Sequence, residues 1–344
     1  MGYEMQAGRS GSGKPRAALV ILRQPAAPWE TPGMPRGSED LGIAYLASSL
    51  ERAGQPYIIL DQGLTRFDDE EFLERILHEN PHLIGYSDNC DQLGRIIRTA
   101  LAVRRRLPGV YQVIGDHGAS FHADELLGSD TGFDAVCIGE GEHTLVELLQ
   151  RLENGKPPEG IPGLLTRIGG RAKFLPRQRI ANPSELAWPN RYVLSTRDSQ
   201  SNETLSCTIL GSRGCPYRCS FCGNDLYQDL SPGASWRPRE ASELVDEMEF
   251  LHQRYGVDSF TFLDELFVGS PSGKNRERLF QFCKEIRRRG LRITFRVTCR
   301  ADFFEPLEDR ELVLALREAG LDKVFFGIEN GYPATIKLYN KGSK

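Results

Sequence analysis

At 344 residues the chain is too long for one ordinary domain and leaves room for two, each able to bury a core. With 40% hydrophobic and 26% charged residues, and 43 basic against 47 acidic side chains for a net charge of −4, it has a globular composition and no polybasic footprint for nucleic acid or anionic membrane. No apolar run approaches the roughly 20 residues of a membrane helix, and Met1 to Lys14 holds no signal-peptide core. The expectation is a cytoplasmic protein whose eight cysteines are reduced thiols or metal ligands, not disulfides.

Residues 1–15 are small and polar and read as a disordered tail. Gly8 to Lys14 imitates a phosphate-binding loop, but Pro15 stands where that motif needs Ser or Thr, and the segment precedes the first strand instead of following one. From Ala17 apolar runs alternate with helical spacing. Strands are expected at Ala17–Leu22, Tyr57–Leu60, Leu83–Tyr86, Gln112–Ile114 and Ala135–Ile138. Helices are expected at Leu41–Arg52, Asp69–His78, Leu93–Leu107, Phe121–Leu127 and Glu142–Leu152. Five such units over residues 16–154 specify an α/β domain on a doubly wound parallel sheet, because parallel strands buried on both faces read as unbroken apolar runs. Ligands of such sheets bind beyond the carboxyl ends of the strands. The loops there are Arg23–Pro28, Ser87-Asp88-Asn89-Cys90, Gly115-Asp116-His117-Gly118 and Gly139-Glu140-Gly141-Glu142.

Residues 155–203 lose periodicity and read as a linker with a hairpin across Gly169-Gly170. Over 204–344 a second alternation follows, with strands at Cys207–Leu210, Ser259–Leu263, Ile293–Thr298 and Val324–Ile328, the last read as a buried strand. Helices are expected at Ala241–Tyr255, Arg276–Arg289, Glu308–Glu318 and from Ala334. Four units are too few to close an eight-unit barrel, so the chain reads as an incomplete barrel cut short at its carboxyl end.

Cys215, Cys219 and Cys222 follow the first strand of this second unit. Three thiolates on one loop fall short of the closed four-ligand shell of structural zinc. They suit an iron–sulfur cubane with one iron left open to a small molecule.

The run Cys215-x-x-x-Cys219-x-Phe221-Cys222 resembles the radical S-adenosylmethionine superfamily. That resemblance implies a 4Fe-4S cluster on Cys215, Cys219 and Cys222, S-adenosylmethionine on the fourth iron, and a protein that mainly positions and insulates its cofactors. Phe262-Leu263-Asp264-Glu265-Leu266-Phe267, Arg300-Ala301-Asp302 and Gly327-Ile328-Glu329-Asn330-Gly331 resemble the ends of the family's second, third and fourth strands. The resemblance puts Phe221, Asp264, Glu265, Arg300 and Glu329 near S-adenosylmethionine.

A flavodoxin-like, Rossmann-like sheet ahead of such a partial barrel resembles the cobalamin-binding members of the superfamily. Leu41-Gly42-Ile43-Ala44-Tyr45-Leu46-Ala47 and Gly139-Glu140-Gly141-Glu142 look like their motifs, and Gly115-Asp116-His117-Gly118 departs from their Gly-Gly-Pro-His, keeping Gly115 but placing Asp116 where the second Gly sits. The implied cobalamin contacts are Ser87, Asp88, Gly115, Asp116, His117, Gly139, Glu140, Gly141 and Glu142. The first loop lacks the histidine with which mutases ligate cobalt, so the cobalamin is expected base-off without a histidine ligand, and His117 is expected to play no metal role.

The resemblance implies an enzyme that transfers a methyl group to an unactivated carbon of a small molecule. A flavodoxin, ferredoxin or reductase would supply electrons. Radical cyclisation or rearrangement, and a non-catalytic cobalamin carrier or sensor, are the alternatives.

Overall fold

The computed structural model describes residues 17–23, 39–65, 67–88, 92–128, 130–169, 171–196, 205–304 and 309–341. The tail read in 1–15, the loop residues Gln24 to Pro28 and Cys90 lie outside them.

The first half alternates β1 (Ala17–Ile21), α1 (Leu41–Arg52), β2 (Tyr57–Asp61), α2 (Asp69–Glu79), β3 (Leu83–Ser87), α3 (Leu93–Arg106), β4 (Tyr111–Gly115), α4 (Asp116–Phe121), α5 (Ala123–Leu126), β5 (Ala135–Cys137) and α6 (Glu142–Glu153). The strands pair in parallel in the order β2-β1-β3-β4-β5. Helices cover both faces, which is why β1 and β2 are buried along their whole length. Asp40 starts α1 by accepting the Ile43 N–H at 3.0 Å, a cap worth about 1 kcal/mol. Ile43, Ala44, Ala47 and Leu50 then pack on one face of the sheet, while Ile96, Ala100 and Val103 of α3 pack on the other. The strand order reverses between β1 and β3, which opens a crevice at their carboxyl ends.

Two features differ from the sequence reading. The helix expected over Phe121–Leu127 starts at Asp116 and breaks at His122, whose backbone is not helical (φ −111°, ψ 24°). The linker hairpin, β6 (Leu164–Ile168) and β7 (Arg171–Lys173), extends the first sheet, β6 running antiparallel to β5. Leu164 and Leu165 are buried there, so an apolar strand edge that would face water is paired instead. The chain then straps the domain: the Asn190 N–H donates to Ala44 O at 3.0 Å and the Tyr192 hydroxyl donates to Asp61 Oδ2 at 3.0 Å.

The second half comprises β8 (Leu205–Ile209), β9 (Ser212–Gly214), α7 (Gly223–Asp229), β10 (Trp236–Pro238), α8 (Ala241–Tyr255), β11 (Val257–Phe262), α9 (Gly273–Arg288), β12 (Thr294–Arg300), α10 (Arg310–Glu318), β13 (Leu321–Gly327) and α11 (Pro333–Leu338). β8, β11, β12 and β13 form a parallel sheet in that order, and β9 pairs antiparallel with β10. Phe262 touches Phe267, Phe282 and Phe295 at centroid distances of 4.4, 6.0 and 6.1 Å, the packing expected of aromatic rings in a core. Among the described residues β13 is last in the order and pairs with β12, the open edge expected of a four-unit array, and its Phe325 and Phe326 are 71% and 43% exposed.

Candidate functional site

A cavity of about 340 Å³ lies where the carboxyl ends of the first sheet meet β9 and α7 of the second half. Gly115, His117, Glu140, Glu142, Arg213 and Tyr227 stand around it, and Leu19, Leu148 and Leu164 carry it down to the sheet. The result is an apolar slot beneath a polar rim.

Glycines make the slot passable. Gly139 has φ +81°, and a Cβ there would meet Ser231 Oγ at 2.6 Å; a Cβ on Gly141 would meet Leu46 Cδ2 at 3.2 Å. The next loop is built differently. Asp116 itself takes φ +84°, a conformation glycine adopts without steric cost, at the position where the resembled family carries its second glycine. Its carboxylate is held on both sides: Oδ2 accepts the Ser87 hydroxyl at 3.0 Å, and Oδ1 faces His117 Nδ1 at 2.9 Å. This contact raises the His117 pKa despite partial burial, while the Asp116 carboxyl falls below its usual range because its hydrogen bonds and His117 outweigh desolvation. The imidazole stacks on the Tyr227 ring at 4.0 Å. Ser87 lines the cavity; Asp88, which the resemblance also puts on the cofactor, is fully buried and off the cavity wall.

The rim is ionic. Glu140 accepts the Ile180 N–H at 2.7 Å and an Arg237 N–H at 2.8 Å. Glu142 is 5% exposed, and its Oε1 accepts Arg213 at 2.6 Å. Burial raises the Glu142 carboxyl, but the adjacent Arg213 guanidinium outweighs it and holds the group ionised below the usual range. Its second oxygen is buried without a hydrogen-bond partner.

Cys215, Cys219 and Cys222, all half-buried, lie on the loop from β9 to α7. The Cys222 N–H donates to Cys219 O at 3.0 Å, and Gln228 Nε2 donates to Cys215 O at 2.9 Å. The carboxyl-terminal segment clips the loop from outside: the Ser220 N–H donates to Tyr339 O at 2.9 Å, and Asn340 Nδ2 to Arg218 O at 2.7 Å. Burial raises the Cys215 thiol pKa, and the neighbouring Cys219 and Cys222 add to that rise, so the three sulfurs stand close enough to sense one another. Phe221 is 50% exposed and meets Tyr339 edge-on at 5.2 Å.

The strand-end residues divide. Asp264 is not at the cavity: it is 3% exposed, accepts the Gly211 N–H at 2.9 Å and the Ser212 hydroxyl at 2.5 Å, and so ties the end of β11 to the turn leading into the cysteine loop. Glu265 does line the cavity and accepts the Gly214 N–H at 3.1 Å. Arg300 lies over the Tyr217 ring at 3.8 Å and donates to Asp302 and to Lys341 O. Glu329, at φ +62°, pairs with Lys341 Nζ at 3.1 Å. Sequence reasoning missed Arg213, Arg237 and Tyr227. Arg213 stood inside the cysteine motif, but its partners are 71 and 73 positions away.

Residues 37–149 match the B12 binding domain family and residues 209–344 the Radical SAM superfamily. An uncharacterized methyltransferase of Pyrococcus horikoshii is 28% identical over 305 residues, covering 88% of this chain and 63% of that protein. The anaerobic magnesium-protoporphyrin IX monomethyl ester cyclase of a Synechocystis species is 29% identical over 307 residues, covering 88% and 59%. The chain therefore spans less than two thirds of the length of either relative. Among solved structures, the cobalamin-dependent S-adenosylmethionine radical enzyme OxsB, with aqua-cobalamin and S-adenosylmethionine bound, superposes with a TM-score of 0.79 at 22% identity, over 96% of this chain and 46% of its own. The methyltransferase TsrM of Kitasatospora setae superposes with a TM-score of 0.71 at 23% identity, over 93% and 60%. Both share the fold. The chain belongs to the cobalamin-binding branch of the radical S-adenosylmethionine superfamily. Its cofactors are cobalamin, S-adenosylmethionine and a 4Fe-4S cluster. The residues present fit them: a glycine-lined slot ends in an unpartnered Glu142 oxygen, and three thiols on one loop are the soft donors that iron–sulfur clusters take. No helix among the described residues is long and apolar enough to cross a membrane.

Proposed function

We propose that this chain is the cofactor-holding part of an enzyme that transfers a methyl group to an unactivated carbon of a small molecule. The observation that carries the reading is that one cavity receives both the glycine-lined loops of the first domain and the base of the three-cysteine loop of the second. Methyltransferases among the relatives support methyl transfer as the chemistry, and the cyclase beside them keeps radical cyclisation as the alternative.

When bound, the cluster with S-adenosylmethionine supplies reductive cleavage of the sulfonium, and cobalamin supplies the transferable methyl. The protein's own residues do the rest. Cys215, Cys219 and Cys222 hold the cluster. Gly115, Gly139 and Gly141 would admit the corrin, and the slot lined by Leu19, Leu148 and Leu164 would take the benzimidazole base of its nucleotide tail out of water. Asp116, itself held by Ser87, would fix the His117 ring through Nδ1 and leave Nε2 as its other nitrogen. Glu265, Arg300 and Glu329 flank S-adenosylmethionine, and a flavodoxin or ferredoxin delivers the electrons.

The test is anaerobic reconstitution of the chain and of a variant with Cys215, Cys219 and Cys222 all replaced by Ala. The parent is expected to be brown, to release deoxyadenosine from S-adenosylmethionine under reduction, and to bind cobalamin with its base displaced. The variant should lose iron and cleavage and keep cobalamin. Parent-level iron in the variant, or cobalamin bound by the parent without any cleavage, overturns the reading, and the second outcome supports a carrier or sensor.

A further inference from the structure

Arg213 lies on β9, two residues before Cys215, yet its side chain serves the first domain. Its guanidinium is 12% exposed, donates to Glu142 at 2.6 Å, lies 3.4 Å from Glu140 and stacks on the Tyr45 ring at 4.8 Å. All three partners line the same cavity. Arg237, on the paired strand β10, adds a second cation at 2.8 Å from Glu140. Two carboxylates therefore meet two guanidiniums, and Glu142 has the full counter-charge of Arg213 beside it.

The backbone beyond Arg213 has little play. Gly214 takes φ +80°, a Cβ on it would come within 2.0 Å of Ser235 O, and its N–H is bound by Glu265. Cys215 follows, its carbonyl bound by Gln228. Arg213 and Cys215 are thus joined by a single glycine whose backbone is held on both sides.

The group that completes the rim is set by what is missing. Glu142 Oε2 is buried, unpartnered and part of a residue on the cavity wall, and since its charge is already balanced it calls for a neutral N–H or O–H donor. Primary amides on the edge of a corrin are such donors. Buried ion pairs contribute little net stability and are better at specifying one arrangement.

We propose, on the reading of the chain as a cobalamin and cluster holder, that Arg213 is a positioning residue linking the two cofactor sites. A corrin amide donates to Glu142 Oε2, the same carboxylate orients Arg213, and Arg213 sets the register of the cysteine loop. Linkage is reciprocal: an ordered, cluster-loaded loop tightens cobalamin binding by the factor by which cobalamin favours that loop.

Hydroxocobalamin is titrated into the whole chain, with and without its cluster, and followed by its visible spectrum in the parent, Arg213→Ala, Arg213→Lys and Glu142→Gln. The parent is expected to bind about tenfold more tightly when the cluster is present, within the usual span of coupling between sites. Arg213→Ala is expected to lose that difference while still loading a cluster, whose paramagnetic resonance signal changes as the loop loses its register. Arg213→Lys, which keeps one cation beside two carboxylates, restores part of it. If Arg213→Ala does not fold by circular dichroism, Glu142→Gln carries the test and must also lose the difference. A parent that binds no cobalamin refutes the underlying reading. A parent that binds equally with and without cluster, or an Arg213→Ala or Glu142→Gln variant with the full parental difference, refutes the proposal alone.

Discussion

Replacing Glu247 by Ala should unfasten the strap between the two halves. Glu247, on α8, is 1% exposed and holds two guanidiniums at once: Arg191 of the strap at 2.6 Å and Arg239 at 2.6 Å, these being 4% and 3% exposed. Burial raises the Glu247 carboxyl, but the two cations outweigh it and keep the group ionised. Without it, Arg239 still has Glu243, whereas Arg191 is left with Glu39 at 3.6 Å as its remaining carboxylate. Removing one partner of a buried pair costs about 3–5 kcal/mol because the other charge stays buried. For a domain of this size that is a fall in melting temperature of roughly 10 °C. Thermal melts by circular dichroism measure it. Tryptophan fluorescence adds a local readout, since Trp188 donates to Glu243 on the same helix at 2.7 Å. A fall of less than about 2 °C, with Trp188 emission unchanged, would refute the argument that this carboxylate closes the strap.

Gly214→Ala should be disruptive although it adds one methyl group: the conformation at φ +80° and the clash with Ser235 O together imply a loss of about 2–5 kcal/mol, with iron content after reconstitution falling alongside. Parent stability and iron in Gly214→Ala would contradict the close approach of β9 and β10. Stability should also depend on pH through Asp264, whose carboxyl burial pushes up to about 7 against the pull of Ser212 and Gly211. The folded chain keeps a proton that the unfolded chain releases near 3.8, so this contribution is complete below pH 4 and is lost as the pH rises to 7. Asp264→Asn should remove a slope of a few kcal/mol, read as the difference between parent and variant urea midpoints at pH 5 and pH 8. Equal slopes in the two would show that Asp264 is already ionised.

Both sheets were legible because their signals are local. An apolar run such as Ala17 to Ile21 needs no partner to announce a strand buried on both faces, and helical spacing marked α8 over its full span of Ala241–Tyr255. The three cysteines and the Gly-Glu-Gly-Glu loop stood out because their spacing is short and their chemistry narrow. What stayed hidden depends on residues that meet only after folding. Asp264 sits in the strand-end motif but turns inward, because the Gly211 N–H and Ser212 hydroxyl lie beside it and leave it no contact with the cavity. Asp116 takes a glycine-like backbone conformation because Ser87 and His117 hold its carboxylate. The chain's residue order determined the elements and the donor atoms. Only the tertiary structure, by bringing Arg213 of β9 onto Glu140 and Glu142 of the other domain, decided that the glycine loops and the strand leading into the cysteine loop border one cavity, because charge complementarity across more than seventy residues leaves no periodic trace in the sequence.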